Sequence, residues 1–246
     1  MSDLTEALIA RALRFAESGA TPARPRLAAT VMLLRPAGSG FEVYLLRRAA
    51  HMAFAAGMYA FPGGAVDPGD DDDPGYGDAP GLAGDWSARL GLPGPRARAV
   101  VRAAVREIAE ETGVRLAPGD LVPWTRWITP EFEPRRYDTY FFCAALADGQ
   151  DPADVSGEAD RTEWLSPAEA LRRFEAGEIA MLPPTSVALG ELAGYGTVAA
   201  VLAAAAGRDT ATPVLPRVER SPDGTARFVT WRGVSGPRRR GGPPSP

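Results

Sequence analysis

A single stretch constrains the rest of the chain. From residue 95 to residue 114 the sequence is helical in period, with Val101, Val105 and Ile108 recurring at steps of four and three. Gly113 and then "APGD" stop it. β-Leaning runs lie on both sides: "RLAATVMLL" (26–34) and "FEVYLLRR" (41–48) before, "LVPWTRWIT" (121–129), "YDTYFFCAAL" (137–146) and "RTEWL" (161–165) after. A central helix with strands on either side of it in the chain, followed by more helices at 167–177, 184–193 and 195–206, predicts a mixed α/β sandwich with extra C-terminal helices. A first helix is expected over 3–18 and a hairpin around Asp223-Gly224. Ser166, Pro167 and Glu169 read as N-cap, first position and reciprocal partner of a capping box.

The same helix collects charge. "REIAEE" places Glu107, Glu110 and Glu111 within five positions, at offsets that put neighbours on one helical face. Like charges so spaced repel unless something offsets them. Grouped carboxylates with space above them suit hard, oxygen-preferring cations such as Mg²⁺ or Mn²⁺. Ala103 and Val100 are expected to leave that space, and Arg106 to pair with one of the three. A solvated acidic face is the alternative reading.

Composition removes other chemistries. One cysteine, Cys143, and one histidine, His51, exclude an intramolecular disulfide, a cysteine zinc cluster and a His-rich metal site. A net charge of −4 gives no argument for nucleic acid. The first 18 residues are amphipathic and carry acidic side chains, unlike a secretory leader, and no apolar stretch approaches a membrane span. A cytoplasmic protein that binds neither nucleic acid nor membrane is expected.

Upstream of the helix lies "GGAVDPGD". Together with "AAVREIAEETGV" it resembles the Nudix box, G-x5-E-x7-R-E-U-x-E-E-x-G-U, where U is aliphatic. Arg106, Glu107, Ile108, Glu110, Glu111, Gly113 and Val114 fit the second half, and Gly64 fits the opening glycine. Asp70 stands where the family prefers Glu. Seven residues should follow before the arginine; here 35 do, an excess of 28. The acidic, Gly- and Pro-rich "DDDDPGYGDAPGLAGDW" is that insertion, about 71–97. Loop closure entropy grows only logarithmically with length, so a loop accommodates it.

The resemblance implies a Nudix-type α/β/α sandwich over 26–217, preceded by a helix and linker (1–25) and followed by a hairpin and an Arg-rich tail (218–246). It implies that Glu107, Glu110 and Glu111 hold Mg²⁺ or Mn²⁺, with the Gly64 carbonyl as a further ligand and Arg106 orienting a glutamate. The implied reaction is hydrolysis of a nucleoside diphosphate linked to another moiety. Glu158, in "VSGEADRTEWL", lies where many members carry an extra acidic residue; Glu163 competes with it, and either could instead be a plain exposed loop charge. "LLRRAAHMAFAAGMYAFPGG" matches only part of a coenzyme A diphosphatase motif. The interrupted box with "WITPEFEPRRYDTYFF" and "GEIAMLPPTSVALGEL" resembles the acyl-CoA diphosphatase subgroup. That implies cleavage of CoA or its esters to 3′,5′-ADP and (acyl-)4′-phosphopantetheine. Arg126, Arg135 and Arg136 are then candidate phosphate contacts, because guanidinium forks match phosphate oxygens. Alternatives are an ADP-ribose, dinucleotide or nucleotide-sugar diphosphatase, or a silent nucleotide-binding protein of the same fold. A homodimer is a further expectation of the resemblance.

Overall fold

The computed structural model describes residues 3–52, 55–72, 86–220 and 226–232. Helix α1 (Asp3–Ser18) leads into strand β1 (Arg26–Ala37), which turns through Gly38-Ser39 into β2 (Gly40–Arg48). Two short strands follow, β3 (Tyr59–Ala60) and β4 (Gly63–Ala65), then a single helical turn, α2 (Pro68–Asp72). After the insertion come α3 (Trp86–Leu90) and the central helix α4 (Gly94–Thr112). Strands β5 (Val122–Ile128), β6 (Tyr137–Ala145) and β7 (Ala159–Leu165) precede α5 (Pro167–Glu175), α6 (Pro183–Leu192) and α7 (Val198–Ala205). Strands β8 (Val214–Arg220) and β9 (Ala226–Arg232) form the expected hairpin, whose Asp223-Gly224 turn lies outside the described residues, as do most of the insertion and the Arg-rich tail.

The sheet is mixed, in the order β3-β2-β1-β6-β5-β8-β9, with β4 added to β1 and β7 to β2. Its centre is the parallel pair β1–β6, from Arg26 opposite Tyr137 to Leu34 opposite Ala145. Both strands are buried on both faces, which is why they read as continuous apolar runs. Residues alternate across the sheet. Val31, Leu33, Tyr44, Tyr140 and Phe142 pack with Val101, Val105 and Ile108 of α4. Met32, Leu34, Leu45, Phe141 and Cys143 pack on the other side with Leu189 and Leu192 of α6 and Val201 of α7. The layered, mixed sandwich expected from the sequence is the one observed.

Strand β1 changes partner along its length, and this creates the site. Leu34–Ala37 pair with β2, whereas Ala28, Ala29 and Thr30 pair with Ala65, Gly64 and Gly63 of β4. Helix α4 ends at Thr112 because Gly113 turns left-handed, with φ 74°. Ser166 caps α5 as expected, accepting from the Glu169 amide, but the Glu169 carboxylate pairs with Arg172 and Arg173 instead of closing a capping box.

Candidate active site

The α4 glutamates are not equivalent. The Glu110 side chain is 58% exposed, Glu107 15%, and Glu111 is a buried residue at 5%. Arg106 organises them. Its Nη1 donates to Glu107 Oε1 and to Glu110 Oε2, each at 2.9 Å. Its Nη2 donates to the Ala65 carbonyl at 3.0 Å. Nε and Nη2 grip both oxygens of buried Asp70 at 3.1 and 2.9 Å. The Asp70 carboxylate also accepts the Asp67 amide at 2.8 Å, and its carbonyl accepts from Arg102 at 3.0 Å. Residues on either side of the long insertion are therefore joined by a two-pronged, charge-assisted pair. Such pairing, led by the Asp70 bond, holds the Arg106 guanidinium firmly charged.

Glu111 faces the other way, accepting the Gly63 amide at 2.8 Å. Burial pushes its carboxyl up to about 8; the Gly63 bond pulls down, while Glu107 and then Glu158 push up further. Burial raises Glu107 as well, with Arg106 opposing. The room for these carboxylates comes from strand β4. A Cβ on Gly64 would strike the Glu107 carboxylate, and one on Gly63, where φ is 151°, would strike the Ala29 carbonyl and Thr30. The expectation that Ala103 and Val100 leave that space is corrected here, since both are fully buried against the sheet.

The donor set is oxygen throughout, mutually repelling and partly desolvated, and so fits a hard divalent ion. Among the described residues no three acidic, His or Cys side chains are gathered closely enough to hold an ion as they stand. Arg106 draws Glu107 and Glu110 to itself, and an ion would have to compete for them.

The other residues singled out from sequence divide clearly. Glu158 is exposed on the loop before β7, within electrostatic reach of Glu111. Glu163 lies opposite Leu45 in the β2–β7 ladder and so on the face away from α4. There it accepts from Tyr59 Oη at 2.5 Å and pairs with Arg161 at 2.8 Å and Arg173 at 2.9 Å. Arg126 spends its fork on Asp138, both bonds 2.7 Å, and its Nη1 on the Ala211 carbonyl. Arg136 is buried, donating to the carbonyls of Thr129 and Ala23. Of the three arginines, exposed Arg135 faces a cavity. That cavity, about 580 Å³, lies on the α6 side and is lined by Met58, Ala60, Phe61, Trp127 and Phe141 among others. Thr30, in its wall, is the ladder partner of Gly63, the residue whose amide holds Glu111. Sequence reasoning missed the Gly63 amide and the Arg102 bond, both of which depend on backbone atoms. The departure at Asp70 was visible, although not its pairing with Arg106.

The NUDIX domain family model matches residues 78–183. The chain carries a Nudix domain. The match begins within the insertion, and the Asp70–Arg106 and Gly63–Glu111 contacts tie the preceding glycine-rich strand to it. Among solved structures, a NUDIX hydrolase from Alicyclobacillus acidocaldarius is similar at 25% identity with a TM-score of 0.61, covering 74% of this chain and 96% of that one. Among curated proteins, the acyl-coenzyme A diphosphatase NUDT19 of Xenopus laevis is 29% identical over 82 residues, which is 32% of this chain. The aligned stretch spans 22% of that relative's length. No described helix is long and apolar enough to cross a membrane.

Proposed function

We propose that this Nudix protein is a divalent-metal-dependent diphosphatase that hydrolyses a nucleoside diphosphate linked to another moiety, with CoA and its acyl esters as the favoured substrates. The observation carrying the reading is the carboxylate cluster assembled from both sides of the insertion, with Asp70 holding Arg106 and the Gly63 amide holding Glu111. Glu107, Glu110 and Glu111, with the Gly64 carbonyl, would hold Mg²⁺ or Mn²⁺. When bound, such an ion neutralises charge on phosphoryl oxygens and lowers the pKa of bound water. The remaining tasks fall to the chain's own groups. Arg106, anchored on Asp70, keeps Glu107 and Glu110 in place. The Gly63 amide fixes one Glu111 oxygen and leaves the other for the reaction. Glu158, exposed and near Glu111, is our assignment for an auxiliary carboxylate that accepts a proton from attacking water. Exposed Arg135 is the arginine best placed to meet a substrate phosphate.

The preference for CoA species rests on the curated relative's acyl-coenzyme A diphosphatase name and on the interrupted box. Incubation with Mg²⁺ or Mn²⁺ and a panel of CoA, acyl-CoA, ADP-ribose, NADH and UDP-glucose, resolved by chromatography, tests it. Release of 3′,5′-ADP from CoA species is expected. Better turnover of ADP-ribose would sink the substrate assignment and leave a diphosphatase. No turnover of any member would favour a silent nucleotide-binding protein.

A further inference from the structure

The cavity on the α6 side has a character that the carboxylate cluster does not explain. Its wall includes Pro130, Pro134, Pro183, Pro184 and Pro216. Proline has no N–H, so at five points the backbone offers no donor to a ligand. Apolar side chains such as Leu8, Met58, Phe61 and Leu182 fill much of the remaining wall, alongside polar groups from Thr129 and Tyr137; a hydrocarbon chain asks only for apolar surface. One side of the cavity is closed by α1, which precedes the sheet and contributes Leu8 and Arg11. Arg11 Nη2 donates to Glu133 Oε2 at 2.6 Å, tying the helix to the β5–β6 loop at the cavity's edge. Thr30, also in the wall, is the ladder partner of Gly63, whose amide orients Glu111.

We propose that this cavity receives the hydrocarbon chain of a fatty acyl thioester, and that Leu8 of α1, held in place by the Arg11–Glu133 pair, is the wall that limits how much chain enters. This rests on the diphosphatase reading for the identity of the polar end of the ligand. It adds a site, an occupant and a specificity-determining residue. The N-terminal helix is then part of substrate selection, although it lies outside the segment that matches the NUDIX domain.

Equilibrium binding to the full chain without metal, by titration calorimetry, separates the two ideas. Decanoyl-CoA should bind at least about tenfold more tightly than CoA, since burial of a chain in an apolar cavity is favourable and CoA has none to bury. Leu8→Trp, which adds bulk on the helix wall, should reduce that ratio at least about fivefold. Met58→Trp fills the cavity from another element and should do the same, so a folding defect in one variant leaves the other to decide. Equal binding of CoA and decanoyl-CoA by the native chain overturns the proposal, as does an undiminished ratio in both variants. A sustained ratio in a chain that hydrolyses neither compound with Mg²⁺ would uphold the cavity's occupant and refute the diphosphatase reading instead.

Discussion

Glu111 and Glu163 lie on opposite faces of one sheet, and their surroundings push them in opposite directions. Glu111 is buried beside Glu107 with one backbone amide for company, and burial raises its carboxyl to about 8. Glu163 is half-buried; burial would raise it too, yet bonds from Tyr59 and Arg173, with the charges of Arg161 and Arg173, hold it below its ordinary value. One cluster has too few cations for its carboxylates, whereas in the other Glu163 is met by two guanidinium groups, Arg161 and Arg173, the latter shared with Glu169. On the proposed reading, the difference separates a structural acidic group, Glu163, from one suited to an added positive charge, Glu111. A carboxylate satisfied by two arginines and a tyrosine has little left to offer an ion.

Substitution should expose this asymmetry, most strongly at the cation-poor cluster. Glu111→Gln is expected to lower diphosphatase activity at least about a hundredfold, read as initial rate in saturating Mg²⁺. The folded, metal-free protein should gain from the same change at high pH. The raised folded value means that stabilisation by the protonated form is complete below the ordinary carboxylate range and lost as pH rises through about 8. The Gln variant, having no charge to bury, should escape that loss in denaturant melts. An equal loss in both proteins would show that Glu111 is not held in a desolvated site.

Arg106→Ala should come next. It leaves Asp70 buried without its guanidinium partner and frees Glu107 from its tether. Discounting for its partial exposure, a loss of about 2–3 kcal/mol in unfolding free energy is expected. Arg106→Lys should recover only part of this, because an ammonium cannot present two parallel donors to Asp70.

Glu163→Gln should do the reverse of Glu111→Gln. Activity should stay within about threefold of native, a factor worth well under 1 kcal/mol. Stability at neutral pH should drop by about 1 kcal/mol, since the cluster opens to solvent on one side. A folded value below the ordinary one means that the stabilisation is present above the unfolded pKa and lost as pH falls through the folded one. The acid limb of the native stability profile, below about pH 4, should therefore be steeper than that of the variant. The smallest effect is expected at Arg135. Its exposure limits each contact, so Arg135→Ala should raise KM for a phosphate-rich substrate about threefold and leave kcat alone.

Much of this comparison was legible in the residues. The period of Val101, Val105 and Ile108 placed the core face of α4, and the spacing of Glu107, Glu110 and Glu111 placed the carboxylates near one another. The extent to which each is buried was not legible, because it depends on strand β4 and on the missing side chain of Gly64 opposite Glu107. The arginines show the same limit. Nothing local announces that Arg126 reaches Asp138, since that pairing follows from the β5–β6 register, which shifts between Pro123 and Thr125. A one-residue shift in register exchanges the faces of a strand, and with them a solvent contact for a buried ion pair. Glu163 was ambiguous for the same reason. Its offset from Glu158 is fixed in sequence, but its place on the α6 side is fixed by pairing with Leu45.

The central claim is that the carboxylates around Arg106, and not those around Arg173, form a divalent cation site. Titration of Mn²⁺ into the full chain, followed by the loss of the free-ion paramagnetic resonance signal, tests this without reference to any substrate. The account predicts that native protein and Glu163→Gln bind Mn²⁺ alike, whereas Glu111→Gln weakens binding at least about tenfold. Equal binding by native protein and Glu111→Gln, or weakening in Glu163→Gln alone, would contradict it.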